Sequence, residues 1–176
     1  MALTTLNNQS VASVTSFLPL SYSPTTSDMP SGSVLAVHDL ASSGTAEQTV
    51  NSNTMTEMDT FTLSCQANSK FIWFMDTQQY IKGGTTVNPT FNLTVDGTSV
   101  GPASGSGDSK SATFNHPFYG QNTFREVQFN YFVTGNLSSG SHTFQMRVAQ
   151  YNPAGGSITV KYQGSKIRYL AYEIAG

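Results

Sequence analysis

The side chains that could bind a metal are few and widely spaced. His38, His116 and His142 are far apart along the chain, and none has a second ligand at the i+2 or i+4 spacing of a metal site. Glu57 and Asp59 lie two residues apart before a strand, on one side, where they could hold Ca²⁺ together with loop carbonyl groups. Solvated acids at a loop–strand junction are the simpler interpretation. We predict no metal site and structural roles for the histidines.

Acid–base and nucleophilic catalysis find no better support. Glu126 and Glu173 could pair as the two acids of a glycosidase, but nothing in the sequence places them near each other. No GxSxG elbow presents a serine nucleophile. The glycine-rich segment 105–107 has no Lys-Ser/Thr at the spacing of a phosphate-binding loop and no helix after it. The sequence therefore predicts that the protein is not an enzyme, with no catalytic residues and no cofactor.

Composition limits the kinds of partner. Charged residues make up only 10% of the chain and the formal net charge is −2, so no basic stripe is available for nucleic acid. No apolar run approaches the roughly 20 residues of a membrane span, and no secretory signal opens the chain. Cys65 is the single cysteine and is in phase with two apolar residues of a strand, which predicts a buried, inert thiol. We expect synthesis in a cytoplasm and no membrane partner.

The elements that must position these side chains are strands. Alternation of apolar and polar residues predicts nine or ten of them and no helix, at 34–40, 46–54, 58–66, 70–81, 91–95, 123–135, 141–149, 158–162 and 166–174. The unbroken apolar run 71–75 predicts a central strand covered on both faces. Asp96-Gly97 predicts a hairpin turn, and 141–176 is typical of a three-stranded meander. The fold class expected is all-β, a two-sheet β-sandwich of jelly-roll type at 33–176.

Residues 1–32 differ from this head domain. They combine apolar side chains with a proline- and hydroxyl-rich joint, which predicts an extended N-terminal arm and linker that docks on something else. A frayed end, or an arm folded onto its own domain, is the alternative. The arm residues expected to anchor the protein are Leu3, Leu6, Val11, Val14, Phe17 and Leu18.

Aromatic side chains outnumber what a small core requires. Tyrosine and tryptophan are enriched at protein interfaces, so two aromatic clusters are candidate subunit contacts, although ordinary core packing would explain them equally well. The candidates are Phe118, Tyr119, Tyr169, Tyr172 and Ile174. A weakly charged surface suits a trimer, in which apolar faces are removed from water. The glycine- and serine-rich segment 101–111 is predicted to be an exposed loop.

Several short motifs resemble a known group. The opening LNNQSVASVTS at 6–16, followed by GSVLAV at 32–37, resembles the N-terminal arm and first strand of small virion proteins of tailed phages, especially marine ones. GSHTFQMRV at 140–148, the closing LAYEIAG at 170–176 and FNLTVDGT at 91–98 are similar to that group's later strands and hairpin. No shaft, coiled coil or collagen-like repeat separates arm and head, unlike long fibres.

The resemblance implies a homotrimeric jelly-roll head displayed on the virion surface and assembled in the host cytoplasm. It favours a capsid decoration (cement) protein, docked through its arm on the major capsid protein or another virion component. The alternative is a tail-fibre or adhesin head that binds a host-surface receptor or glycan through the loop 101–111. A carbohydrate-active enzyme is a third hypothesis, and it requires the Glu126–Glu173 pair to meet in a cleft.

Overall fold

The structure is a computed structural model that describes residues 29–82, 89–100, 124–150 and 157–176. Side chains are described for 29–76, 90–100, 131–150, 157–161 and 163–176. The predicted anchoring residues of the arm, the loop 101–111, and Phe118 and Tyr119 lie outside these ranges. They therefore remain predictions.

Ten strands account for most of the described chain, as the alternation predicts. They are β1 Val34–Ala41, β2 Gln48–Val50, β3 Thr56–Cys65, β4 Ser69–Lys82, β5 Pro89–Val95, β6 Thr98–Val100, β7 Phe124–Val133, β8 Gly140–Gln150, β9 Ser157–Val160 and β10 Arg168–Ala175. A single 3₁₀ turn, Tyr162–Gly164, is the one helical element in the described ranges. No helix there is long and apolar enough to cross a membrane.

The strands form two antiparallel sheets with jelly-roll order. In sheet A, β10 lies between β1 and β4, and β7 pairs with the other edge of β4. β9 pairs with the second half of β4 and β2 pairs with β9, so these two strands continue the lines of β10 and β1. Sheet B has the order β3-β8-β5-β6. The order β1-β10-β4-β7 against β3-β8-β5-β6 is that of an eight-stranded jelly roll, which confirms the predicted fold class.

The core lies between the two sheets and is rich in aromatic rings. Trp73 of β4 is fully buried and its ring centroid lies 5.1 Å from that of Phe144 of β8. Phe61 of β3 meets Tyr169 of β10 edge-on at 5.0 Å. Cys65 is 8% exposed within this core, and burial raises the pKa of its thiol, so the prediction of a buried cysteine is confirmed.

The predicted hairpin at Asp96-Gly97 is present and joins β5 to β6. Both residues have positive φ, 49° for Asp96 and 81° for Gly97. Two successive residues with positive φ match the right-handed twist of the flanking strands, which is why Asp-Gly is favoured there.

The predicted C-terminal meander is wrong. β8 belongs to sheet B, where it pairs with β3 and β5, whereas β9 and β10 belong to sheet A and pair with β4. Short-range alternation shows where strands lie, but the closed jelly roll pairs each of these strands with partners distant in sequence. The chain therefore crosses between sheets after β8.

Candidate interaction surface

The outer face of sheet A, the side turned away from sheet B, carries apolar side chains on four adjacent strands. β4 is apolar on both of its faces: Phe71, Trp73 and Met75 are fully buried in the core, while Ile72 and Phe74 lie half-buried on the outer side. In the part of the chain that the structure describes, the prediction that this strand is covered on both faces is therefore confirmed for the core side, while the outer side is half-buried.

The strand register aligns this outer face into two rows across the sheet. In the first row the residues at successive registered positions are Val37, Tyr172, Ile72 and Val133. In the second row they are Asp39, Leu170, Phe74 and Tyr131. Side chains at registered positions on one face of antiparallel strands are direct neighbours. Seven of these eight side chains are apolar or aromatic.

Exposure is greatest at the two sides of the rows. Val37 on β1 is 55% exposed, and Tyr131 and Val133 on β7 are each 46% exposed. With Val34 at 51%, these are the exposed large hydrophobic residues of the described chain, and all lie in β1 or β7. Between them, Phe74 and Tyr172 meet at right angles with ring centroids 5.9 Å apart. We call the two rows the apolar face.

Charged residues lie at the two ends of the apolar face. At one end Arg168 forms an exposed ion pair with Asp39, Nη2 to Oδ2 3.1 Å, and Asp76 is registered opposite Arg168. At the other end Lys70 is registered opposite Ile174. The first end thus carries a net charge of −1 and the second a charge of +1. A shallow cavity of about 460 Å³ lies at the acidic end, between the Asp39–Arg168 pair and the Phe74 and Tyr172 rings.

The outer face of sheet B is polar by contrast. Glu57 accepts hydrogen bonds from Thr60 at 2.5 Å and from Gln145 at 3.0 Å. Thr94 of β5 donates to the same Gln145 at 3.2 Å. This network links three strands: Glu57 and Thr60 are exposed, Gln145 is half-buried, and Thr94 is 2% exposed. Among the described residues, the outer face of sheet A is the one whose burial by another protein removes substantial apolar area from water.

A buried polar cluster ties the two sheets together. The Lys161 ammonium, at the end of β9, donates to Asp59 Oδ1 at 3.0 Å and to the Met58 carbonyl at 3.0 Å. Tyr169 donates its hydroxyl to the other Asp59 oxygen at 2.8 Å. The side chains of Lys161 and Asp59 are 8% and 1% exposed. Burial, with the Asp59 carboxylate beside it, raises the pKa of Tyr169 far above its usual range, so the phenol stays a donor.

A β-bulge brings Asp59 to that cluster. The register of β3 against β8 shifts between Glu57 and Asp59, so the two acids do not share one side. Glu57 is exposed on the polar outer face and Asp59 is buried. The prediction that the two acids share one side, as a Ca²⁺ site would need, is therefore wrong. The simpler interpretation of two solvated acids is also wrong for Asp59, which is buried within β3. Within the described residues no group of three His, Cys, Asp or Glu side chains is arranged to hold a metal.

His142 joins the β5–β6 hairpin to the start of β8. Its Nδ1 lies 2.6 Å from Asp96 Oδ2 and its Nε2 lies 2.9 Å from the Ser138 carbonyl. Both partners accept, so they favour the doubly protonated ring and raise the pKa of His142, the carboxylate more than the carbonyl. The Thr143 amide, which donates to Asp96 Oδ1 at 2.8 Å, and then His142 lower the pKa of Asp96.

His38 is packed differently from the satisfied structural histidine that we predicted. Its ring lies 5.9 Å from that of Phe71, and its buried Nε2 has no hydrogen-bond partner in the part of the chain that the structure describes. Glu173 is 4% exposed and accepts a hydrogen bond from the Gln66 backbone amide at 2.8 Å. This acid therefore stabilises the fold and does not line a cleft. The side chain of Glu126 lies outside the described residues.

The candidate subunit contacts at the C-terminus separate onto the two faces of β10. Tyr169 is 1% exposed and points into the core, so it belongs to the chain's own interior and is not a subunit contact. Tyr172 lies on the outer side, in the first row of the apolar face. Ile174 shares the parity of Tyr172 but is 8% exposed. Sequence alternation contained the signal for this split, because residues three apart on a strand face opposite ways.

Comparison with known proteins adds little to this geometry. The chain matches no protein-family model and no curated protein. Among the solved structures it is similar to a chain of the structure of infectious bursal disease virus Gx strain, at 9% identity and a TM-score of 0.23. The similarity covers 79% of this chain and 39% of that one. A likeness at that level carries no argument about function.

Proposed function

We propose that this protein is a structural subunit of a phage virion, a homotrimeric decoration (cement) protein. It docks on the capsid through its N-terminal arm and is displayed at the virion surface after assembly in the host cytoplasm. The observation that carries the proposal is the apolar face, because two apolar rows across four strands are suited to burial against another protein. The motifs at 6–16, 32–37, 91–98, 140–148 and 170–176 supply the resemblance to virion proteins.

In this proposal the outer faces of the two sheets have different roles. The apolar face suits contact with protein, whereas the outer face of sheet B carries polar, hydrogen-bonding side chains. A chain with 10% charged residues has little long-range field to steer it to a partner. Stable attachment would therefore come from apolar contact and from several arms binding at once.

Deleting residues 2–28 tests the anchoring role. The deletion keeps the Pro30 carbonyl that accepts the Ser33 amide and the Gly32 amide that donates to Ala175, so β1 keeps its start. We expect a folded head, with the thermal midpoint of the full chain, that no longer co-sediments with undecorated capsids. Normal co-sedimentation of the deleted protein would refute anchoring by the arm.

A matched pair of full-length variants separates apolar contact from arm length. One variant replaces the six apolar anchoring residues with serine, at Leu3, Leu6, Val11, Val14, Phe17 and Leu18. The control replaces six hydroxyl residues of the same segment with alanine, at Thr4, Thr5, Ser10, Ser13, Thr15 and Ser16. Only the first variant should lose capsid binding. Equal loss in both would show that side-chain type in the arm does not determine docking.

A tail-fibre or adhesin head is the second candidate function. The cavity at the acidic end of the apolar face favours it, since the Phe74 and Tyr172 rings lie beside the Asp39–Arg168 pair. Apolar walls with a few converging polar groups are usual in small-ligand sites. Under this proposal Arg168→Ala reduces phage adsorption to host cells while capsids assemble normally. Unchanged adsorption would leave the cavity without a receptor role.

A further inference from the structure

The central strand of sheet A carries opposite charges at the two ends of the apolar face. Lys70 and Asp76 both lie on the outer side of β4, with Ile72 and Phe74 between them. They are six positions apart along an extended strand, which is roughly 20 Å. The two charges are therefore too far apart to pair within one chain.

This arrangement is self-complementary under a two-fold rotation. A two-fold axis that lies in the plane of contact, perpendicular to the strands and passing over Trp73, places β4 of one copy antiparallel over β4 of the other. Each residue then faces the one equally far from Trp73 on the opposite side. Ile72 lies opposite Phe74, and Lys70 lies opposite Asp76, twice.

The neighbouring strands follow the same symmetry. Trp73 is registered with Ala171 of β10 and with Phe132 of β7. The rotation therefore brings the first row of one copy onto the second row of the other, with Tyr172 opposite Leu170 and Val133 opposite Tyr131. Apolar side chains meet apolar side chains over most of the contact.

We propose that two copies of this chain, one from each of two neighbouring trimers of the proposed function, pack face to face through the apolar face about this two-fold axis. The charges select this axis, because a two-fold parallel to the strands would place Lys70 over Lys70 and Asp76 over Asp76. Like charges facing each other oppose association, whereas opposite charges fix orientation and register. An interface in which the same patch serves both copies is the commonest kind in homo-oligomers.

The size of the face sets the strength of the contact. Four strands span about 19 Å and the Lys70–Asp76 distance is about 20 Å, a footprint of roughly 400 Å². A stable interface typically buries about 800 Å² on each partner. The pair therefore dissociates on dilution in solution. The two-fold contact deepens the proposed function and rests on it for its persistence. Neighbouring copies anchored on one particle are held at high local concentration, which makes a weak contact persistent.

Charge reversal tests the axis in the full-length protein. Lys70→Glu places glutamate opposite Asp76 at two sites, and Asp76→Lys places lysine opposite Lys70 at two sites. We expect the molar mass of the wild type, measured by light scattering, to double as concentration rises. Each variant alone should lose that doubling. An equimolar mixture of the two should regain it, because each mixed pair has opposite charges at both sites. Thr62→Glu, on the exposed outer side of β3, is the control and should behave as wild type.

A second measurement needs no variant. A zero-length carbodiimide reagent should join the Lys70 amine to the Asp76 carboxylate, and mass spectrometry of the excised dimer band should find that linked peptide. Since roughly 20 Å separates the two residues within a chain, this link forms only between copies. A wild type that shows no mass doubling, or a mixture no better than either variant alone, would overturn the two-fold contact. Neither result bears on arm-dependent binding to capsids, which is measured separately.

Discussion

Removing the Lys161 charge is the perturbation whose cost the structure defines best. Lys161→Met keeps a long apolar stem but leaves Asp59 in the core without its ammonium partner, and Asp59 is 1% exposed. Breaking one side of a buried ion pair costs about 3–5 kcal/mol, since the remaining charge stays desolvated and unpaired. The Met58 carbonyl also loses its donor. We therefore expect Lys161→Met to lower the free energy of unfolding by an amount in the upper half of that range.

The assay is equilibrium urea unfolding followed by fluorescence of Trp73, the single tryptophan, which is fully buried. For a domain of this size about 1 kcal/mol corresponds to about 2–4 °C in the thermal midpoint. A loss of about 3–5 kcal/mol in the free energy of unfolding would therefore lower the midpoint of a thermal melt, followed by the same fluorescence, by roughly 6–20 °C. Lys166→Met, at an exposed lysine in the turn before β10, is the matched control and should change stability by less than about 0.5 kcal/mol.

A triple variant distinguishes a charge effect from lost packing. Asp59→Val, Lys161→Met and Tyr169→Phe together remove the whole cluster, and replacing a buried ion pair with apolar groups is often neutral. We expect the triple variant to be more stable than Lys161→Met alone. A Lys161→Met cost below about 1 kcal/mol, or a triple variant as unstable as the sum of its parts, would refute this account of the cluster.

Two further predictions concern the β5–β6 hairpin and its contact with β8. The raised pKa of His142 means that its stabilisation is complete below the unfolded value of about 6.5 and is lost as pH rises through the folded value, whereas the Asp96 contribution is lost as pH falls through its lowered value. The stability difference between wild type and His142→Gln, measured in urea at pH 5.5, 7 and 9, should shrink with rising pH, and a constant difference would contradict the ion pair. Gly97→Ala should cost about 1 kcal/mol because its φ of 81° strains any side chain; Gly44→Ala, with open space around the site and no positive φ, is the control in the same melt, and equal costs would contradict the strain.

Local pattern predicted the elements well because strands in a sandwich alternate. The face shared by Phe144, Met146 and Val148 is buried as expected, and Phe61 and Leu63 pack on the same core. Pairing between distant strands has no such local signature. That is why the prediction of a meander at 141–176 is wrong although all three of its strands are present.

The apolar face was half visible in the sequence. The unbroken run 71–75 indicates a strand with two apolar sides, and the alternation that ends at Tyr131 and Val133 indicates one apolar side on β7. Only the register shows that this side of β7 points outward beside Ile72 and Phe74, with Phe132 in the core. The buried Asp59–Lys161 pair had no sequence signal at all, because a bulge in β3 and a separation of 102 residues create it.

Apolar side chains on both faces leave β4 with little hydrophobic preference between registers, since a one-residue slip exchanges one apolar face for the other. Polar contacts must therefore fix its position. Thr134 is 4% exposed, and its hydroxyl accepts the Phe71 amide at 2.9 Å while its own amide donates to the Phe71 carbonyl at 3.0 Å. This contact sets β7 against β4 at one point. Any slip there would leave buried polar groups unpaired, at about 1–3 kcal/mol each. The same alignment keeps Val133 beside Ile72, so the residue that fixes the register inside the fold also determines the pattern that the apolar face presents outside it.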